Sequence, residues 1–270
     1  MNLSSTIKLN NGVEIPLIGL GTYKSTPGAE TQQAVRWALE LGYRHIDTAA
    51  RYGNEEDVGK AVRESGLQRE DVFITTKLWN DDQADPVRAF NSTMEKLGLD
   101  YVDLYLMHFP VRGLRNKTWK IMESLLGDKC RAIGVSNFTI RHLEELLEKT
   151  DVVPVVNQVE FHPYLFQKEL MDFCKKRKIS MQAYGPFAKC QKFNDQRLIA
   201  LAKKYRKTPA QVMIRWSLQH GNIVLPKSVH RERILENANI FDFVLSEEDM
   251  NTIDSFNENL RLYWDPTNEP

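Results

Sequence analysis

Eight short apolar runs punctuate the chain, centred near Ile18, Ile46, Ile74, Leu104, Ile133, Val156, Met181 and Val224. Most lie roughly 25 to 30 residues apart, the length of a strand, a helix and their turns. The segments between them carry apolar residues at helical spacing. Thr31 to Leu41 is one such segment. Pro86 to Leu97 is another, with Val87, Phe90, Met94 and Leu97 on one stripe and Gly98 placed for a left-handed stop. Arg141 to Glu148 repeats the pattern. Thr208-Pro209 joins a capping side chain to a proline at the first helical position, opening a helix through Leu218, and Ser246 with Asp249 reads as a capping-box variant. The interval before Val224 is longer and has room for two helices. At the start, Ile7-Lys8-Leu9, Asn10-Asn11-Gly12 and Val13-Glu14-Ile15 read as a hairpin. Eight strands alternating with eight helices, without a linker, predict an α/β protein: a single (β/α)8 TIM barrel over 1–270, with the hairpin at the barrel floor. A doubly wound open sheet is the alternative.

The sequence has 270 residues, and its Lys+Arg and Asp+Glu both number 36, so the net charge is +0. With neither basic excess nor a basic run, nucleic acid and a membrane surface are not expected partners. Three cysteines, Cys130, Cys174 and Cys190, without a Cys-x-x-Cys, argue against a disulfide framework or a zinc ribbon, and no metal is expected. Met1 to Asn11 has no apolar signal core, and no apolar run approaches the ~20 residues that span a bilayer. A reducing cytoplasm is the expected location. The last residues, Asp265 to Pro270, are expected to be disordered.

The chemistry concentrates at the ends of the predicted strands. Asp47 ends the Ile46 run and Tyr52 follows in a short loop. Asn54 stands as an N-cap, and Glu55, Glu56 and Asp57 fill a first turn where the helix dipole favours negative charge. Lys77 follows Val72 to Thr76, and His108 follows Tyr101 to Met107. In parallel, neighbouring strands these four residues converge at one mouth. A free tyrosine has a pKa near ~10, and a lysine ammonium about ~4 Å away is expected to lower it by one to three units after burial takes its share. Asp47 would hold Lys77 charged, and His108 would bond the same substrate oxygen. The set suits protonation of a carbonyl oxygen while another species attacks its carbon. Singly, each residue has a plainer reading: Asp47 as a turn cap, Lys77 as a solvated strand end, His108 as a satisfied buried histidine. Lys77 as a Schiff-base lysine is a further alternative, and the adjacent Asp47 argues against it.

Gly42-Tyr43-Arg44-His45-Ile46-Asp47-Thr48-Ala49, Tyr52-Gly53-Asn54-Glu55, Lys77-Leu78-Trp79, Leu104 to His108, Ile133-Gly134-Val135-Ser136-Asn137-Phe138, Asn157-Gln158 and Pro226-Lys227-Ser228 resemble, in order, the motifs of the aldo-keto reductase family. The resemblance runs from about Ile7 to Phe256. Its compact loops look like the microbial branch with 2,5-diketo-gluconate reductases and prostaglandin F synthase-like enzymes. The family fold is a (β/α)8 barrel. The resemblance implies Tyr52 as general acid, tuned by Lys77 and Asp47, with His108 orienting the carbonyl and hydride arriving from nicotinamide C4. It implies NADPH without a Rossmann fingerprint, and Gly19-Leu20-Gly21-Thr22 indeed lacks the third glycine and the following helix start. Gly21 and Thr22 are placed on the cofactor path. Ser136, Asn137 and Gln158 are assigned to the carboxamide, and Tyr184 to stacking on the nicotinamide. Lys227, Ser228 and Arg233 are assigned to the 2′-phosphate, and Glu236 and Asn237 to the adenine side. Arg231 reads as a solvated helix face.

Three stretches depart from the family pattern. His108-Phe109-Pro110 stands for a common His-Trp-Pro and Tyr184-Gly185-Pro186-Phe187 for a common Tyr-Ser-Pro-Leu, while Ala188 to Phe193 replaces a Gly-rich loop. Gly185 removes a hydroxyl from the pyrophosphate clasp. The substrate pocket is assigned to Tyr23, Trp79 and Phe109, with Phe187, Tyr263 and Trp264 as further candidates. Such an aromatic wall favours apolar or aromatic carbonyls. The expectation is a soluble, monomeric, NADPH-dependent reductase of aldehydes and ketones. The rival is a nucleotide-binding sensor or channel-associated subunit on the same fold with little turnover.

Overall fold

The apolar runs become parallel strands whose order in the sheet is their order in the chain. A computed structural model describes residues 2–269. β1 (Thr6–Lys8) and β2 (Glu14–Pro16) form an antiparallel hairpin with Ile7 opposite Ile15. Then follow β3 (Leu20–Gly21), α1 (Ala29–Glu40), β4 (His45–Asp47), α2 (Glu55–Arg63), β5 (Phe73–Leu78), α3 (Pro86–Leu97) and β6 (Leu104–Met107). The chain continues through α4 (Arg115–Glu123), β7 (Ile133–Ser136), α5 (Ile140–Leu147), β8 (Val156–Glu160), α6 (Lys168–Lys176) and β9 (Ser180–Tyr184). Last come α7 (Gln196–Tyr205), α8 (Pro209–Gln219), β10 (Ile223–Leu225), α9 (Arg231–Ala238) and α10 (Glu247–Asp254).

Strands β3 to β10 pair in sequence, each parallel to the next. The ring closes where Val224 N donates to Leu17 O at 2.9 Å and Gly19 N donates to Val224 O at 3.0 Å. An open sheet would leave both edge strands unpaired, so this is the (β/α)8 barrel. The helices exceed the expected eight. Two, α7 and α8, lie between β9 and β10, and two more follow β10.

The hairpin seals the floor. Leu9 and Ile15 pack with Phe73, Leu104, Leu106, Val156 and Ile223 in a cluster of their own inside the barrel. Asn10 Nδ2 donates to Pro154 O and Lys178 O, both at 3.1 Å, which ties the turn to the loops entering β8 and β9. The larger core lies between strands and helices, around Trp119, Trp216, Tyr105 and Phe161. Each such buried side chain contributes on the order of 1.5–3 kcal/mol.

Local signals set the helix limits. Thr208 and Gln211 form a reciprocal capping box on α8, Ser246 caps α10, and Gly98 ends α3 with φ of 58°. Asp85 caps α3, which buries Pro86, Phe90, Thr93 and Leu97 and leaves the expected stripe member Val87 exposed. Gly59 is required for packing: a Cβ there would come within 1.8 Å of Leu97 O, so α2 meets α3 backbone to backbone. The tail residues up to Glu269 make contacts with the barrel and with one another. Arg261 pairs with Asp265 at 3.1 Å, Pro266 is buried, and Glu269 O contacts His142 Nε2 at 2.9 Å. Pro270 lies outside the described residues. No helix among the described residues is long and apolar enough to cross a membrane.

Candidate active site

The strand carboxyl ends open into a cavity of about 820 Å³. Its lining brings together Gly21, Tyr23, Asp47, Tyr52, Trp79, His108, Phe109, Ser136, Asn137, Gln158, Tyr184 and Lys227, with Phe187, Tyr263 and Trp264 on the outer wall. Gly21, Asp47, Ser136, Gln158 and Tyr184 lie near or at the carboxyl ends of their strands, and Tyr23, Tyr52, Trp79, His108, Phe109 and Lys227 lie in the loops that follow, the placement a barrel mouth requires.

Asp47 is the last residue of β4, and Lys77 lies one strand over in β5. Lys77 is fully buried behind the cavity wall. Its Nζ donates to Asp47 Oδ1 at 2.6 Å and to Thr48 O at 2.7 Å, and stands 3.5 Å from Tyr52 Oη. Burial pushes the Lys77 pKa down and Asp47 up, and each charge opposes the shift of the other. An ammonium held this tightly by a carboxylate is unsuited to Schiff-base chemistry. Tyr52 ends the short 3-10 turn Ala50–Tyr52, which Gly53 closes with φ of 69°. The phenol pKa is raised well above its ordinary value, first by burial and then by Asp47. This corrects the expected lowering: desolvation of the phenolate and the neighbouring Asp47 charge both act to raise the pKa. His108 meets Tyr52 edge-on at 5.8 Å between centroids. Burial and then the Lys77 charge push its pKa well down, so the imidazole is neutral near pH 7.

Two residues next to Tyr52 behave differently from expectation. Asn54 occupies the N-cap position of α2, but its side chain does not cap. It accepts from Thr48 Oγ1 at 2.8 Å and donates to Thr22 O at 3.0 Å, stitching the β3 and β4 loops together behind the cavity. Glu55 is buried and accepts from Thr76 Oγ1 at 2.6 Å, a partner on β5 that dipole reasoning does not supply.

The remaining polar residues divide into two groups. In the first, Gln158 Nε2 donates to Asp47 Oδ2 at 2.8 Å and to Gln182 Oε1 at 2.7 Å, so a ligand would meet its Oε1 end. Asn137 Nδ2 donates to His108 O at 2.9 Å and to Ser136 Oγ at 3.1 Å, and its Oδ1 accepts from Tyr184 at 2.7 Å. Asn137 thereby fixes His108 and Tyr184 relative to each other. Thr22 sits behind the wall, with its Oγ1 donating to Asp47 O at 3.0 Å.

The second group surrounds the start of α9. Lys227 lines the cavity and donates to Lys24 O at 3.2 Å, and burial lowers its pKa against the opposing Glu30. Ser228 Oγ accepts from His230 N at 3.1 Å, and Arg233 is exposed in the first turn. Glu236 accepts from Thr208 Oγ1 at 2.6 Å, and Asn237 is buried. Ser228, Arg233, Glu236 and Asn237 continue outward from Lys227 and do not line the cavity itself.

Sequence reasoning missed the anchor of the outer wall. Glu160, the buried last residue of β8, accepts from Leu262 N at 2.9 Å, from Tyr263 N at 3.2 Å and contacts His162 Nε2 at 3.1 Å. It hangs the segment carrying Tyr263 and Trp264 over the mouth. An acid at the end of a strand with Val156 and Val159 was the available signal, but its partners lie about a hundred residues on. Gly185 adopts φ of 62°, and a Cβ there would come within 2.7 Å of Tyr263 Cε2. The departure from the family's serine therefore makes room for the Tyr263 ring, which meets Tyr184 edge-on at 5.3 Å.

Comparison with known proteins agrees with this geometry. Residues 17–258 match the Aldo/keto reductase family. The chain is 50% identical to a glyoxal reductase of Bacillus subtilis (strain 168), over 97% of this chain and 96% of that protein. It is 45% identical to methylglyoxal reductase DkgA of Escherichia coli (strain K12), over 97% of each. A crystal structure of a Bombyx mori aldo-keto reductase in complex with NADP superposes with a TM-score of 0.90 at 39% identity, covering 96% of this chain and 94% of that one. Closed parallel barrel, four polar residues at consecutive strand ends and near-full-length identity converge on one assignment: this chain belongs to the aldo/keto reductase family, whose members are oxidoreductases that use a nicotinamide cofactor.

Proposed function

We propose that the protein is an NADPH-dependent reductase of aldehydes and ketones, acting as a monomer with 1–270 as one domain. The observation that carries this reading is the buried Asp47–Lys77 pair facing the Tyr52 hydroxyl, with a neutral His108 beside it. The donor set also fits a nicotinamide nucleotide: Gln158 offers an acceptor to a carboxamide, and Lys227 is a partly desolvated cation that donates to a backbone carbonyl. Ser136, Asn137 and Tyr184 would complete the nicotinamide end. Gly21 and Thr22 would border the cofactor path, with Ser228 and Arg233 at the 2′-phosphate and Glu236 and Asn237 at the adenine. A bound nicotinamide supplies hydride to the carbonyl carbon. Tyr52 Oη protonates the carbonyl oxygen, because burial keeps the phenol protonated until that oxygen becomes basic enough to take the proton. Lys77 stabilises the phenolate left behind, and Asp47 keeps the ammonium from losing its charge to burial. His108 donates a hydrogen bond that turns the oxygen towards Tyr52, while Tyr23, Trp79 and Phe109 exclude water.

The relatives named for glyoxal and methylglyoxal make small dicarbonyls sensible first substrates. Loss of NADPH absorbance with glyoxal, methylglyoxal and a nitrobenzaldehyde tests the reading, with NADH in parallel. Turnover with NADPH well above NADH is the expected result. Tight NADPH binding without oxidation across the panel would leave a nucleotide sensor as the better description.

A further inference from the structure

The cavity has more positive charge than its proposed chemistry uses. Among the described residues its charged lining consists of Lys24, Asp47, Arg51, Lys189 and Lys227, and Asp47 is already paired with Lys77. Two cations are engaged elsewhere: Lys227 donates to Lys24 O, and Lys189 donates to Leu262 O and lies 4.5 Å from the Tyr263 ring. Arg51 is next in sequence to Tyr52 and also lines the cavity. It is exposed, and its Cζ lies 5.2 Å from the Trp79 ring, which itself meets His108 edge-on at 5.2 Å. One aromatic ring therefore separates an exposed guanidinium from the imidazole at the reacting centre. Lys24 Nζ lies 5.6 Å from the Tyr23 ring, and Tyr23 in turn lies 5.0 Å from Tyr52.

We propose that Arg51 is a specificity-determining residue that selects carbonyl substrates bearing a carboxylate several bonds from the reacting carbon; the inference rests on the carbonyl-reductase reading above. A guanidinium presents a planar fork that matches a carboxylate through two parallel bonds, and contact with Trp79 restricts where that fork points. The separation by one ring excludes a carboxylate directly attached to the carbonyl, which would lie against His108 instead. It admits a para-substituted aryl aldehyde or an extended aldehyde acid lying along Trp79 and Phe109. Because Arg51 is exposed, water screens the pair, so the preference is modest: about five- to tenfold in kcat/KM.

The test compares para-carboxybenzaldehyde with the neutral methyl ester at saturating NADPH, using the full chain. Arg51→Gln is expected to lower the acid-to-ester ratio of kcat/KM about five- to tenfold, and Arg51→Glu to lower it further. In the wild type, added salt lowers that ratio, and in Arg51→Gln the salt dependence is lost; the wild-type salt series needs no variant to fold. A ratio unchanged by Arg51→Gln, or a wild-type ratio indifferent to salt, overturns the assignment of Arg51 and leaves carbonyl reduction standing. Failure of the wild type to oxidise NADPH with either aldehyde overturns both.

Discussion

Asp47 Oδ1 lies 2.6 Å from Lys77 Nζ, in a pair that is almost wholly buried. Its worth is in what happens when one partner goes. Asp47→Asn leaves the ammonium without its ion-pair partner and with only the weaker influence of Glu55, and burial then drives the proton off Lys77. Turnover is expected to fall about ten- to a hundredfold at neutral pH. The lost charge returns only below the depressed lysine pKa, so the variant gains activity as pH falls. A kcat–pH profile reads this directly, and an unchanged profile would remove Asp47 from the proton machinery.

Tyr52→Phe removes the proposed acid but keeps the ring against Tyr23 and His108. Turnover is expected to drop at least ~100-fold, with NADPH affinity retained. Single-turnover kinetics and cofactor fluorescence titration separate the two. Near-normal turnover would mean that another group delivers the proton.

Lys227→Ala and Arg233→Ala test the phosphate end. A charged hydrogen bond is worth about 1.5–3 kcal/mol, so each change is expected to weaken NADPH binding about tenfold or more and to leave NADH almost unchanged. Titration of both nucleotides with both variants measures the selectivity. Equal losses for the two nucleotides would place these cations away from the 2′-phosphate.

Glu145 carries a pH-dependent part of the fold's stability. Arg115 and then hydrogen bonds from Asn116 and Lys149 hold its carboxyl down at about 2, against the desolvation that opposes them. A carboxylate depressed in the folded state contributes fully above its unfolded value, near ~4.3, and loses that contribution as pH falls towards about 2. Allowing for its partial exposure, Glu145→Gln is expected to cost about 1–2 kcal/mol at pH 7 and progressively less on acidification. Denaturant melts at pH 7 and pH 3 compare the two; a pH-independent difference would contradict the ion-pair account.

Gly185→Ser restores the hydroxyl common in relatives but puts a Cβ against Tyr263 at a left-handed backbone position. The strain at such a position is about 1–2 kcal/mol before any clash. In a Tyr263→Ala background the clash disappears, so the two changes should be non-additive. A double-mutant cycle on thermal stability measures the coupling, and simple additivity would show that the ring moves away freely.

The mouth that gathers Asp47, Tyr52 and His108 was legible because its signals are local. A polar residue ending an apolar run already fixes which mouth Asp47, Lys77 and His108 share. Cap pairs such as Thr208 with Gln211 span three positions and were equally plain. Contacts between distant segments were not. Asn54 looked like a cap because the sequence cannot display its longer-range partner, the Thr22 carbonyl. Val87 fitted a helical stripe, but α3 buries a neighbouring stripe through Pro86, Phe90, Thr93 and Leu97. The rise of the Tyr52 pKa needed its burial and its distance from Asp47, which spacing alone does not contain. Gly185 was visible as a departure, but its cause, Tyr263, lies almost eighty positions later.

Glu160 reads the tail through main-chain amides at Leu262 and Tyr263, so it is indifferent to the side chains attached to them. Anchoring and aromatic surface are thus separable in this wall. Any residue other than proline at 262 or 263 can offer the same N–H, and the aromatic surface can be exchanged while its hinge to the barrel stays in place. For design, the tail is a cassette: the rings at 263 and 264 are the part to vary, and the carboxylate at the end of β8 is the part to leave alone.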